Sequence, residues 1–231
     1  MTRQSESLAR FVLFQSLGQD LIERLDSQCI WRRVRAGEWL IEYEDDTVDL
    51  FFVAHGRLRV TIRPISGAEI ILRDLREGEF FGELAAIDGR RRSAGVVAMT
   101  DSVIARMTPA VFRETVHRHP DVCDQLLALL ASQVRNLAAR VTELSTFDVR
   151  HRIYSELLRL ANTDASGGET KITPPPTHAE IAARISTRRE AVNRELKSLE
   201  REGLIERRRG AIVLLKPSEL HARIEKAFPS L

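Results

Sequence analysis

The sequence predicts an α+β chain of two domains, with a β-barrel in the first half, a long helix after it, and a winged helix-turn-helix near the C-terminus. Three observations carry this. Residues 38 to 108 break into short β-type segments punctuated by glycine; an apolar stripe at alternating three- and four-residue spacing follows Pro120; and a two-helix pattern from Thr177 runs into an arginine-tipped hairpin.

A chain of 231 residues with 43% hydrophobic content is long enough for two modest cores. Its formal net charge of +2 conceals an asymmetry, since residues 148 to 231 hold 16 Lys/Arg against 12 Asp/Glu and the preceding part 19 against 21. Between Arg184 and Lys216 the ratio is 10 basic to 5 acidic, a local excess that favours a polyanionic partner. Cys29 and Cys123 stand far apart and outside any C-x-x-C pair, so neither a disulfide framework nor a cysteine-rich metal site is expected. The first residues lack the apolar core of a signal peptide, and no stretch approaches a membrane span of roughly 20 apolar residues. The expectation is a cytoplasmic protein without a membrane partner.

In the first half, RLRVTI (57 to 62) alternates, whereas DLFFVA, AEIILRDL and DSVIARM are fuller apolar runs. Gly37, Gly56, Gly67, Gly78, Gly82 and Gly89 fall near their boundaries, and no helix-length segment intervenes, which favours a sandwich or barrel over βαβ units. After Pro120, the spacing of Leu127, Leu130, Val134, Leu137, Val141 and Leu144 is the seam of a two-stranded coiled coil, so a homodimer is expected. Asp148 is a candidate N-cap for a second helix through about Ala161, with a hinge at residues 145 to 148. Residues 163 to 177, rich in turn formers and holding three consecutive prolines, are expected to form a surface connection.

From Thr177, Ile181, Ile185, Val192, Leu196 and Leu199 are spaced as the shared core of two helices around a tight turn. Thr187 and Glu190 match a T-x-x-E capping box, which would start the second helix at Arg188. Arg189, Glu190 and Arg194 then lie where base readers of such helices sit, and arginine and glutamate suit guanine and cytosine edges respectively. Gly203 to Leu215 reads as a hairpin whose Arg207, Arg208 and Arg209 face backbone phosphates. With Thr177, Thr187 and Arg188 at the helix starts and Arg208 in the wing, these residues form the expected surface for double-stranded DNA.

Residues 78 to 98 hold what a small phosphate ligand needs. Gly82 allows close backbone approach, Glu83 offers a carboxylate to a sugar hydroxyl, and Arg92 with Ser93 presents a guanidinium and a hydroxyl. The order Phe81-Gly82-Glu83-Leu84-Ala85, a short loop, then Arg92-Ser93-Ala94 resembles the phosphate-binding cassette of cyclic-nucleotide-binding domains. Arg189-Glu190-Ala191-Val192-Asn193-Arg194 is similar to the R-E-T-V-x-R of the cyclic-AMP receptor protein/FNR superfamily, and the likeness extends over roughly residues 15 to 215.

The resemblance implies a cyclic-nucleotide-binding jelly-roll barrel over 1–118, a dimerisation helix and hinge over 119–147, and a DNA-binding domain over 148–231. It implies a transcription regulator rather than an enzyme, with a cyclic nucleotide effector (cAMP or cGMP) and RNA polymerase as a further partner. Glu83 would bind the ribose 2′-hydroxyl, Arg92 the cyclic phosphate, and Ser93 with the Gly82 and Leu84 backbone would complete the cradle. One position departs: where the cyclic-AMP receptor proteins carry a Thr-Ser pair that reads adenine, this chain has Leu137 and Ala138. Asn136, Arg135 and Arg140 are the nearby polar groups that could take over base readout. Two cysteines cannot supply an iron–sulfur cluster and the six histidines show no ligand spacing, so no metal, haem or Fe–S cofactor is expected.

Overall fold

A computed structural model describes residues 7–63, 69–163 and 168–228; Gly67, the start of the AEIILRDL run, part of the 163–177 connection and the last three residues lie outside these. The chain divides into two compact units, Met1–Val134 and Arg135–Leu231.

In the first unit, two 3-10 turns, Leu8–Arg10 and Val12–Phe14, precede α1 (Gln19–Gln28). Eight strands follow: β1 (Ile30–Val34), β2 (Trp39–Ile41), β3 (Leu50–His55), β4 (Arg57–Ile62), β5 (Ile70–Arg76), β6 (Phe80–Phe81), then α2 (Glu83–Asp88), β7 (Gly95–Ala98) and β8 (Ser102–Met107). They form two antiparallel sheets ordered β1-β8-β3-β6 and β2-β7-β4-β5, which is the jelly-roll class expected. α3 (Pro109–Arg118) and the 27-residue α4 (Pro120–Thr146) close the barrel half, and the unit boundary falls inside α4.

Period-two alternation explains why β3 is buried on both faces. Phe51 and Val53 point into the space between the sheets with Val34, Leu58, Leu75, Phe81 and Val96, whereas Leu50, Phe52 and Ala54 point to the other side. There they meet the aromatic rings of Phe11 and Phe14, Phe112 of α3, and Val122 and Leu126 of α4. The N-terminal turns therefore act as a lid on one sheet, a role that local periodicity did not reveal.

α4 buries Val122 and Leu126 but leaves Leu127, Val134, Leu137 and Val141 at 58%, 65%, 59% and 62% exposure. These four belong to the expected coiled-coil seam. A row of apolar side chains this exposed on one helix is the composition of a covered surface, not of a solvated one.

The second unit holds α5 (Val149–Leu160), β9 (Asn162–Thr163), β10 (Thr170–Ile172), α6 (His178–Arg184), α7 (Arg189–Arg201), β11 (Ile205–Arg208), β12 (Ala211–Leu214) and α8 (Pro217–Ala227). Asp148 caps α5 as expected, accepting from the His151 N–H at 2.9 Å. The expected surface connection contains a strand: β10 pairs with β12 and β9, so the wing hairpin becomes a four-stranded sheet ordered β11-β12-β10-β9. The run Thr170–Ile172 precedes the prolines and is free to pair, which the emphasis on turn formers obscured.

Ile181, Ile185, Val192, Leu196 and Leu199 are all fully buried, in one cluster with Ile153, Leu157, Ile212 and Leu214. The capping box, however, sits elsewhere. It caps α6, where Thr177 Oγ1 accepts from the Glu180 N–H at 3.1 Å and the Thr177 N–H donates to Glu180 Oε2 at 2.7 Å. α7 begins one residue later than expected, with Arg188 in the N-cap position and no side-chain cap. The Thr187 N–H instead closes the turn onto the Ala182 carbonyl at 3.0 Å, after Ser186 at φ 52. Thr177→Ala should therefore destabilise the second unit by about 1 kcal/mol, whereas Thr187→Ala should cost markedly less. Thermal melts of the two variants compare them directly.

Candidate functional site

The phosphate cassette lies where β6 hands over to α2. Gly82 takes φ 84, and a Cβ placed on it would fall 2.6 Å from Arg92 Nη1 and 2.8 Å from the Asp49 carbonyl. Only glycine fits. Its absent side chain lets the Arg92 fork reach the backbone: Nη1 donates to the Gly82 carbonyl at 3.1 Å, Nη2 to the Asp49 carbonyl at 2.7 Å, and Nε to Thr47 Oγ1 at 3.1 Å. Arg92 is 2% exposed, and its guanidinium lies 5.8 Å from the Phe51 ring centroid. The strand-like exchange of Arg92 N–H to Asp45 and Glu44 N–H to Arg92, with the Arg91–Asp46 ion pair at 2.9 Å, ties the arginine loop to the acidic 42–49 segment.

Glu83 is also buried, at 6% exposure. Burial pushes its carboxyl above the ordinary range, while its own backbone N–H and the nearby Arg73 and Arg92 guanidinia pull it back. Burial likewise lowers the Arg92 pKa, opposed by Asp49, Asp45 and Glu83. A desolvated carboxylate and a desolvated guanidinium held within reach of each other suit a ligand that brings both a hydroxyl donor and an anion. Leu84 and Ser93 are exposed. Thr47 and Asp49, which orient Arg92, lie about 45 residues from it in sequence, and no local motif could have signalled them.

Asn136 and Arg140, the expected base readers, lie on α4. Both belong to the second unit, where Asn136 is exposed. Arg140 pairs with Glu143 at 3.2 Å and with Glu156 at 3.0 Å, and it donates to the Arg184 carbonyl. Glu156 is 1% exposed and is also held by Arg159 at 2.5 Å. Arg140 therefore has a structural role within the second unit, because a buried carboxylate demands paired cations and Arg140 is one of them.

The helix-turn-helix presents the other set. Arg188, Arg189, Glu190 and Arg194 are exposed. Ser186, Thr187, Arg188, Glu190, Ala191 and Arg194 line a concavity of about 570 Å³ at the start of α7. Glu190 is held below its ordinary pKa first by its own backbone N–H at the helix start, then by Arg189, which it meets at 3.1 Å, and by Arg188. In the wing, the Arg209-Gly210 turn joins β11 to β12, with Gly210 at φ 81. Arg208 pairs with Glu169 at 2.8 Å and Glu206 at 2.6 Å, and Arg207 with Glu200 at 2.5 Å. Thr177 is exposed at the start of α6 with its hydroxyl engaged in the capping box.

Burial, with Asp26 adding, pushes the Cys29 thiol up to about 12, so it is a packing group and not a nucleophile. Among the described residues no group of three or more His, Cys, Asp or Glu side chains is placed to hold a metal ion, and no helix is long and apolar enough to cross a membrane.

Known proteins agree with this two-part layout. Residues 31–119 match the cyclic nucleotide-binding domain and residues 151–223 the Crp-like helix-turn-helix domain. The cAMP-activated global transcriptional regulator CRP of Haemophilus influenzae is 33% identical over 185 residues, covering 78% of this chain and 81% of the relative. The cAMP-activated global transcriptional regulator Vfr of Pseudomonas aeruginosa is 32% identical over 193 residues, covering 80% and 88%. In fold, the chain is similar to a CRP-family transcriptional regulator from Thermus thermophilus (TM-score 0.67, 27% identity, 84% and 96% covered) and to a CooA mutant from Carboxydothermus hydrogenoformans (0.76, 20%, 96% and 99%). A nucleotide-binding barrel, a long helix and a winged helix in this order, shared with regulators over four fifths of their length, leave one conclusion: the chain belongs to the cyclic-AMP receptor protein/FNR superfamily of DNA-binding transcription regulators and is not an enzyme.

Proposed function

We propose that the protein is a homodimeric regulator whose DNA binding responds to a cyclic nucleotide, cAMP or cGMP. The observation that carries this is the buried Arg92 guanidinium set between Gly82, Asp49 and Thr47, with the buried Glu83 carboxylate in electrostatic reach. A cyclic phosphate would accept from the Arg92 fork, and Glu83 would accept from the ribose 2′-hydroxyl, with Ser93 and the backbone at Gly82 and Leu84 completing the cradle. The exposed seam of Leu127, Val134, Leu137 and Val141 supplies the dimer interface. Two α7 helices related by a two-fold axis would enter successive major grooves about 34 Å apart, so the operator would be a pseudo-palindrome. RNA polymerase is the expected protein partner on that DNA.

In this reading Arg189, Glu190 and Arg194 read base edges, while Thr177, Thr187, Arg188 and Arg208 position the backbone. Arg189→Ala should relax preference at a single base pair, costing about 1–3 kcal/mol there. Arg208→Ala should weaken every sequence alike, and modestly, because Glu169 and Glu206 already neutralise much of its charge. Selection of bound DNA from a random pool separates the two; equal loss of sequence preference in both variants would refute the assignment.

A second reading has its own observation. Leu137 and Ala138 offer no hydroxyl to an adenine, and three N–H groups of Arg92 are already satisfied by the protein, which suits a regulator that is constitutive or gated by another effector. Calorimetric titration of the full chain with cAMP and with cGMP decides between them: heat saturating at one nucleotide per chain supports the gated reading, and no heat with either supports the second.

A further inference from the structure

Strand β5 carries an arginine on the wrong face for a solvated residue. Leu75 is fully buried between the sheets, and Arg73, two residues before it, shares its side of the strand. The register agrees: Leu58 lies opposite Leu75, and Val60, packed against the same core, lies opposite Arg73. By contrast, Arg59 and Asp74 oppose each other on the other face of the sheet, where they form their own ion pair at 2.8 Å. Arg73 Nη1 is held at 3.0 Å by Glu79, whose other oxygen accepts from the Arg76 N–H at 2.8 Å, so the guanidinium has a fixed orientation. It is 39% exposed, and an ion pair at that exposure adds little to stability. It is also close enough to Glu83 to oppose the rise in that carboxyl's pKa.

We infer that Arg73 makes the barrel a guanine reader, so that this chain takes 3′,5′-cyclic GMP in preference to 3′,5′-cyclic AMP. The inference rests on the reading of Glu83 and Arg92 as a ribose-phosphate site. With those two groups anchoring one end of the nucleotide, the inward Arg73 on β5, in the sheet opposite β6, supplies donors to the base. Guanine presents two acceptors, O6 and N7, which match the two parallel N–H groups of an arginine fork. Adenine presents N7 beside the N6 amino donor, so one N–H of the same fork would face another donor in a partly desolvated site. The site thus attracts one base and penalises the other. The hydroxyl-free pair Leu137 and Ala138 is consistent with a base reader located elsewhere than on the long helix.

The experiment is calorimetric titration of the full-length protein with cGMP, cAMP and cIMP, repeated for Arg73→Ala and Arg73→Gln, with a thermal melt of each variant. The expected result is cGMP binding about 10-fold or more tighter than cAMP, with cIMP close to cGMP because it keeps O6 and N7. Arg73→Ala should bring cGMP down to the cAMP level and leave cAMP nearly unchanged. Arg73→Gln, whose amide pairs with adenine N6 and N7, should move the preference towards cAMP, and it carries the test should the alanine variant fail to fold. Equal or tighter binding of cAMP by the unmodified protein would overturn the inference and leave the cyclic-nucleotide reading standing. A cGMP preference that persists in both variants would remove Arg73 as its cause. Binding of none of the three would overturn the ribose-phosphate reading and the inference with it.

Discussion

Arg92→Ala is expected to reduce cyclic nucleotide affinity by roughly 100-fold or more and to abolish nucleotide-stimulated operator binding. Two charge-assisted hydrogen bonds to a phosphate contribute on the order of 1.5–3 kcal/mol each, and at a 2% exposed guanidinium no water replaces them. The substitution also strips hydrogen bonds from the Gly82 and Asp49 carbonyls and from Thr47, so the first unit should melt earlier. Arg92→Lys separates the two effects. It keeps the charge but cannot span three acceptors, and should bind nucleotide weakly while recovering part of the stability. Calorimetry with melts of both variants reads this; nucleotide affinity unchanged in a folded Arg92→Ala protein would remove the cradle from the account.

The second large effect is expected at the long helix. Val134→Glu with Val141→Glu should convert the protein to a monomer and lower affinity for a palindromic site by roughly 1000-fold, because the two half-sites then bind independently. Both side chains are more than three-fifths exposed in the single chain, so the fold itself should not suffer, and circular dichroism should be unchanged. Sedimentation equilibrium reads the mass. A dimer that persists at the same protein concentration would show that the seam of Leu127, Val134, Leu137 and Val141 is not the interface.

Much of the architecture was legible because it is written in local periods. The spacing of Ile181, Ile185, Val192, Leu196 and Leu199 can be satisfied only if two helices share one core, and all five side chains are fully buried. Asp148 was legible as a cap because a carboxylate before a helical run has few other uses. In the cassette, Gly82 and Arg92 stand together because the chain between them is short. Where partners are distant in sequence, nothing local announces them. Thr47 and Asp49 reach Arg92 only through the fold, and the pairing of Arg140 with Glu156 on the next helix is equally unannounced by local sequence.

The Thr187 box misled for a different reason. T-x-x-E recurs at Thr177 and Thr187, and the turn after α6 claims the Thr187 N–H, leaving only the first copy to cap. The tail from Pro217, which carried no signal of its own, forms α8 and buries Leu220 against α5 and the recognition core. Phe228 then stacks on Phe147 at 4.2 Å, beside the α5 cap. Arg73 could have been found from sequence. Arg73 and Leu75, two residues apart, alternate onto one strand face, and a cation in that row is out of place unless something anionic or acceptor-rich is meant to meet it.

The account's central claim is that a small ligand in the barrel governs how the winged helix binds DNA. Fluorescence anisotropy of the full-length protein on an operator recovered from a random pool, titrated at zero and at saturating cGMP and cAMP, measures this coupling directly. The expected result is an increase in operator affinity of about 5- to 150-fold with nucleotide, lost in Arg92→Ala. Identical affinity with and without either nucleotide would contradict it.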